Sequence, residues 1–238
     1  MDYLDLTLET AASDLALDEA LLPDAEASHS GEVLRVWERA QLAVVLGSGC
    51  KLVEDVKESA CERDGVPVLR RSSGGGTVLL GRGSLLFSVV LRMDRAAELA
   101  AIHSSYAYIL GRIVDALRGQ VQGIEAAGIS DLARRGLKFS GNAQQRKRHH
   151  ILHHGTLLYA FPLEAVGKYL NQPQRQPDYR QDREHHAFLC NLPIAREELV
   201  AALRQAFGAD QILQTWPAEL VQALVVEKYE LRDWTRRR

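Results

Sequence analysis

The chain has 238 residues, 46% of them hydrophobic and 25% charged, with a formal net charge of −2. That balance allows a buried core and gives no global case for nucleic acid or a membrane as partner. Three widely spaced cysteines (Cys50, Cys61, Cys190) form no metal signature or disulfide framework, and no signal segment or membrane-length apolar run is present, so the expected setting is cytoplasmic.

Taken in order, residues 4–8 alternate as a short strand, and Thr10 or Ser13 caps a helix running through Leu15, Leu17, Leu21 and Leu22 that Pro23 is expected to end. Residues 24–31 read as a loop. Strands are expected at 33–38 and 42–46, joined by a short polar turn at 39–41, and an amphipathic helix at 53–63. An apolar run at 66–69 then stops at Arg70-Arg71 and turns through Gly74-Gly75-Gly76, and 84–91 is a strand rich in large and β-branched residues. The longest helix is expected over 96–118, with Ile109, Leu110, Ile113, Val114 and Leu117 at helical spacing, and Gly119 stops it.

Short strands follow at 121–125, 129–133, 137–140 and 152–160, broken by Gly128, Gly136, Gly141 and a basic run near Arg146. Helices are expected at 163–170, 197–207 and 218–226, with a mobile polar loop at 171–186 between the first two. Central strands, interspersed helices and no regular βαβ alternation predict an α+β fold, a sheet packed by helices.

Three stretches carry candidate chemistry. In Arg70-Arg71-Ser72-Ser73-Gly74-Gly75-Gly76-Thr77-Val78, glycine N–H groups and guanidinium forks suit an anion, although a plain hairpin also explains a glycine triplet. Neither a Walker loop nor a dinucleotide fingerprint is present. The second stretch is Leu137-Lys138-Phe139-Ser140-Gly141-Asn142-Ala143-Gln144, where Lys138 is either a solvated edge residue or aimed at an anion. No acid stands between Asp131 and Glu164, whereas Arg134, Arg135, Lys138, Arg146, Lys147 and Arg148 do, which suggests a positive surface. The third stretch, His149-His150 and His153-His154-Gly155-Thr156, lacks the carboxylate or cysteine spacing of a zinc site, so a histidine that orients backbone or ligand groups is expected, and no metal ligand.

These three stretches, in this order, resemble the lipoate–protein ligase A family within the biotin/lipoate ligase and octanoyltransferase superfamily. They stand here as RRSSGGGTV from Arg70, KFSGNAQ from Lys138 and HHGTLL from His153, and the closing Lys228-Tyr229-Glu230-Leu231-Arg232-Asp233-Trp234 also fits. The resemblance implies mixed, mainly antiparallel sheets packed by helices. It implies lipoate–protein ligase chemistry: ATP with Mg²⁺ activates lipoate or octanoate to acyl-AMP, and the acyl group passes to a lysine of a lipoyl carrier domain, of E2 or glycine-cleavage H type. On the same resemblance Lys138 is the catalytic residue. Arg70, Arg71, Ser73, Gly74, Gly75, Gly76, Thr77, Val78, Asp131, Ser140, Gly141, Ala143, His154, Gly155 and Thr156 bind the nucleotide and acyl group. A positive surface over 134–148 would suit an acidic carrier.

The chain also departs from the family pattern. Leu79-Leu80-Gly81 stands where the family has an aromatic followed by His-Asp, Asn142 replaces a serine, and Ser130-Asp131-Leu132 replaces Asn-Asp-Leu. It ends where many ligases continue, so residues 1–238 are expected to be one catalytic domain without the C-terminal accessory domain, whose role a separate protein would take. An octanoyltransferase would need a cysteine nucleophile near Lys138. Ala126 and Ala127 precede the lysine without one, and Cys190 falls in an apolar segment where it is expected to pack. A non-catalytic binder of lipoate or acyl-adenylate is the remaining alternative.

Overall fold

The structure, a computed structural model, describes residues 1–28 and 31–238. The strands are β1 (Asp2–Asp5), β2 (Val33–Trp37), β3 (Ala43–Leu46), β4 (Val68–Arg70), β5 (Val78–Leu80), β6 (Ser84–Arg92), β7 (Ile124–Ala127), β8 (Asp131–Arg134), β9 (Leu137–Arg146), β10 (His150–Leu158) and β11 (Gln211–Ile212). The helices are α1 (Ala11–Ser28), α2 (Leu52–Asp55), α3 (Glu58–Asp64), α4 (Ile102–Leu117), α5 (Glu164–Tyr169), α6 (His185–Phe188), α7 (Arg196–Phe207), α8 (Ala218–Leu224) and α9 (Arg232–Arg236).

An eight-stranded sheet runs β11-β1-β2-β6-β10-β9-β8-β7, and a three-stranded sheet runs β4-β3-β5. Pairing is antiparallel except for β11-β1-β2 and β3-β4. This is the mixed, antiparallel-dominated α+β fold expected.

Alternation along the central strands sorts the core. Leu34, Val36, Phe87, Val89, Ile151 and Leu157 face α4 and α7 on one side of the large sheet. Val33, Trp37, Leu86, Val90 and Leu152 face α1 and α8 on the other. The small sheet turns Val45, Val78 and Leu80 toward this second face and buries Val44, Leu46 and Leu79 against α2, α3 and α5. The space between the two sheets, roofed by α1, becomes the cavity described below.

Several expectations are corrected. Helix α1 passes through Pro23 and takes in residues 24–28 of the expected loop. A proline inside a helix costs about 3 kcal/mol, but Leu21, Leu22 and Ala25 around it are buried, and each large side chain contributes about 1.5–3 kcal/mol. Strands β2 and β3 lie in different sheets, so the turn between them changes layer. The helix expected at 53–63 is two, α2 and α3, and the one expected at 96–118 begins only at Ile102, after 3₁₀ turns at Met93–Arg95 and Ala97–Ala100. Gly141 does not break its strand: β9 runs on to Arg146. A Cβ at Gly141 would stand 2.9 Å from Lys138 Nζ, so the glycine makes room for the lysine. The polar loop at 171–186 is tied down by Tyr179 and by the guanidinium groups of Arg180 and Arg183, which lie 4.8 and 5.2 Å from the Phe188 ring centre.

Candidate active site

The cavity has a polar and an apolar end. Arg71, Gly75, Gly76, Thr77, Ser130, Asp131, Lys138, Gly141, Asn142, Ala143, His154, Gly155 and Thr156 line the polar part, and Leu15, Trp37, Val45, Val78, Leu80 and Leu86 the apolar part, which Asp18 also enters. Among the described residues no cysteine lines it.

Successive strand residues point to opposite sides, and the two arginines behave accordingly. Arg70 is fully buried but turned away from the cavity. Its guanidinium donates to the carbonyls of Gly47 (2.9 Å), Cys50 (2.7 Å) and Thr235 (2.8 Å), and its own carbonyl accepts from Trp234 Nε1. The expected ligand role of Arg70 is therefore corrected: it clamps the C-terminal helix to the Gly47–Cys50 turn.

Arg71 is also buried, and it faces the cavity. It donates to Ser73 Oγ (3.1 Å) and to the carbonyls of Gly74 (2.5 Å) and Gly76 (2.8 Å), with no carboxylate in contact. Burial lowers its pKa to about 10. A buried guanidinium held only by neutral oxygens is a strong attractor for an anion.

The glycine loop depends on close backbone approach. A Cβ at Gly47 would stand 1.9 Å from the Gly75 carbonyl oxygen, and Gly75 itself has φ of 83°. Thr77 Oγ1 donates to Asp55, and Cys50 Sγ lies 3.4 Å from Gly75 O. Ser73, Gly74 and Ser140, expected as ligand contacts, do not line the cavity: Ser73 and Gly74 hold Arg71, and Ser140 accepts from Asn142.

Across the cavity, Lys138 Nζ pairs with Asp131 Oδ1 at 2.7 Å, and Tyr179 donates to Asp131 Oδ2 at 2.8 Å. Burial, then the Asp131 charge, raises the Tyr179 pKa, so the phenol stays protonated as a donor. Tyr179 sits in the polar loop and carried no signal in the sequence.

The paired histidines split between the two faces. His154 faces the cavity, 2.6 Å from Ser73 Oγ, its pKa pushed well down by burial and then by Arg71. His153 lies on the opposite face between Gln144 (3.1 Å) and Asn142 (3.3 Å), near Phe87 and Tyr106, with a pKa lowered to about 3 by burial. Both are neutral and orient their neighbours. Among the described residues no group of three or more acids, histidines or cysteines is placed to hold a metal ion. Asn142 donates to Ser130 O and Ser140 Oγ, and its Oδ1 would stand 2.0 Å from a Cβ at Gly155.

Leu80, at the place of the family's histidine, is apolar wall, and Gly81 lies against Leu42 and Phe161. Cys190 is joined to the Lys138 strand through its own N–H, which donates to Lys138 O at 2.9 Å. Its thiol, 3.5 Å from Leu137 O, packs with the α4–α7 core, and burial raises its pKa. The basic run is also corrected. Arg146 is spent on the carbonyls of Leu99 and Ala100. Arg134 and Arg135 lie at one end of the ten-residue β9 and Lys147 and Arg148 at the other, about 30 Å apart at strand rise.

Residues 10–208 match the family described as the lipoyl protein ligase A/B catalytic domain. The chain belongs to that family. Among relatives, it is 28% identical to octanoyltransferase LipM of Carboxydothermus hydrogenoformans, covering 98% of this chain and 97% of the relative. It is 31% identical to a probable lipoate-protein ligase A of Mycoplasma pneumoniae, covering 92% of this chain but 66% of that one. A crystal structure of lipoate-protein ligase A bound with ATP superposes with TM-score 0.79 at 23% identity, covering 99% of both chains. The bi-partite lipoate protein ligase of Thermoplasma acidophilum gives 0.82 at 22%, covering 99% of this chain and 96% of that one. Family and fold are thus fixed, and the family contains both ligases and transferases. Among the described residues no helix is long and apolar enough to cross a membrane.

Proposed function

We propose that this protein is a lipoate–protein ligase: it joins a medium-chain carboxylate such as lipoate or octanoate to AMP and passes the acyl group to a lysine of a lipoyl carrier domain. The observation that carries this reading is Arg71, a buried cation facing the cavity with no carboxylate against it, opposite Lys138 and beside an apolar chamber. Arg71 and the Gly75–Gly76 backbone would hold the phosphate oxygens. Lys138, released in part from Asp131, would neutralise charge developing on the acyl and phosphate oxygens in both steps. Leu80, Leu86 and Trp37 would hold the chain. The related ligase with bound ATP supports the nucleotide half of this reading.

Mg²⁺ would enter with the nucleotide phosphates, which suits an ion that usually binds one or two carboxylates plus phosphate; Asp131 is the carboxylate at the polar end of the cavity. The carrier would dock at the Arg134–Arg135 end of β9, where the lysine side chain enters. Residues 1–238 would act as one catalytic domain.

The octanoyltransferase reading has its own support in the relative that spans the whole chain and in the hydrogen bond from Cys190 to the Lys138 backbone. Thioester chemistry needs a thiolate at the acyl carbon, and the raised Cys190 thiol points into the core instead. The two readings separate on incubation of the protein with ATP, Mg²⁺, octanoate or lipoate and an apo carrier domain, with and without an accessory protein. ATP-dependent acylation with AMP release, abolished in Lys138→Ala, supports the ligase. Acylation from octanoyl carrier without ATP, lost in Cys190→Ser, replaces it with the transferase. Binding of acyl-AMP without turnover replaces it with a non-catalytic binder.

A further inference from the structure

One stretch of chain, residues 177–190, holds Lys138 in two ways. Through the backbone, Leu189 bridges to Lys138, and Cys190 N–H donates to its carbonyl at 2.9 Å. Through side chains, Tyr179 donates its hydroxyl to Asp131 Oδ2 at 2.8 Å, while Asp131 Oδ1 takes the lysine ammonium at 2.7 Å. Asp131 thus stands between the two, one oxygen to each, with a side chain 9% exposed. The stretch is anchored on Phe188, whose ring centre lies 5.1 Å from that of Tyr179, and Arg183 donates to Gly136 O at 3.0 Å, in the turn leading into the lysine strand. A Cβ at Gly128, in the β7–β8 turn, would meet Pro177 at 3.4 Å and Tyr179 at 3.8 Å, so the phenol is seated against the turn that carries Asp131.

This arrangement bears on how the lysine can work. Its ammonium lies over Gly141, where a Cβ would stand 2.9 Å from Nζ, at the polar end of the cavity. To meet an anion there it must loosen its hold on Asp131. A buried carboxylate that loses its cation with nothing in exchange is costly, and that cost is subtracted from whatever the lysine gains at the ligand. Tyr179 alters the balance because its hydroxyl is a donor that stays behind. A hydrogen bond to an ionised acceptor is roughly twice as strong as a neutral one, and this one remains on Asp131 as the ammonium withdraws.

We infer that Tyr179 is a positioning residue for Lys138: it keeps Asp131 satisfied while the lysine turns to the ligand, and so makes the lysine easier to release. This inference rests on the acyl-adenylate reading above.

The test measures binding of octanoyl-sulfamoyl-adenosine, a stable mimic of octanoyl-AMP, by calorimetry. The mimic carries no phosphate, so Mg²⁺ is left out and any metal held by Asp131 does not enter the comparison. Tyr179→Phe keeps the ring on Phe188 and removes only the hydroxyl. It should weaken binding about tenfold in the wild-type background, as loss of a hydrogen bond to a charged group allows. In Lys138→Ala, itself a weaker binder, Tyr179→Phe should change affinity by less than about twofold, because no lysine is left to release. In Asp131→Asn it should be equally silent, since no charge is stranded, and this background carries the test if the lysine double variant does not fold. An unchanged affinity in a folded Tyr179→Phe overturns the inference alone. The same tenfold loss in either background does so too, and assigns the hydroxyl to the ligand itself. Failure of wild type to bind the mimic, or full-strength binding by Lys138→Ala, overturns the acyl-adenylate reading along with it.

Discussion

Two buried cationic regions lie within one cavity's reach, and they are built on opposite terms. Under α1, Arg35 and Arg39 meet Asp14 and Asp18, with ion-pair distances of 2.6 to 3.0 Å, and further bonds go to the carbonyls of Leu6 and Leu8. In the glycine loop, Arg71 is equally buried but meets only carbonyl and hydroxyl oxygens. A buried charge without a counter-charge is expensive, and the fold keeps this one where a ligand can reach it. The first region holds the protein together; the second is available for chemistry.

Breaking the matched region should have the largest effect. Arg35→Met leaves two buried carboxylates short of a partner and should cost about 3–5 kcal/mol, a large share of a domain's usual stability, read from the denaturant midpoint. Lys138→Ala on the other side should leave the midpoint nearly unchanged and lower acyl transfer about 10²–10³-fold. A loss of stability as large as that of Arg35→Met would erase the distinction. Next in size, Arg71→Met should weaken nucleotide binding by about 1.5–3 kcal/mol, the worth of hydrogen bonds to a charged group, measured by calorimetry.

A smaller effect should appear with pH. His153 titrates near 3 in the folded protein against an ordinary value of 6.5. Between those values the unfolded chain binds a proton that the native imidazole refuses. His153 alone should therefore make stability fall as the solution is acidified below about 6.5, by up to about 1.4 kcal/mol per pH unit. Denaturant unfolding across that range checks the slope, which His153→Gln should reduce. Smallest of all, Cys190→Ser should change ATP-dependent acylation by less than about twofold, since a nucleophile's loss would cost orders of magnitude.

The sequence made this division only partly visible. The three motifs are contiguous, and the cavity draws Arg71, Lys138 and His154 from them. Strand alternation also separates Arg70 from Arg71 and His153 from His154, but it does not say which member of each pair faces inward. That depends on the small sheet stacking against the large one, and the turn between β2 and β3 gives no sign of a change of layer. Asp18 and Trp37 lay more than 100 residues from Lys138 in stretches that read as ordinary core. Tyr179 lay in a polar loop whose ordering comes from Arg180 and Arg183 stacking on Phe188. The acid-free run likewise read as one surface until β9 set its two ends apart.

The contact between Asn142 and Gly155 constrains how such a chain can change over generations. The Asn142 amide fills the place of a Gly155 side chain, and the Gly141 carbonyl oxygen stands 3.0 Å from that same place. A side chain at 155 therefore needs both the Asn142 amide to withdraw and the neighbouring β9 backbone to give, so positions 141, 142 and 155 in the β9–β10 ladder are free to change only together.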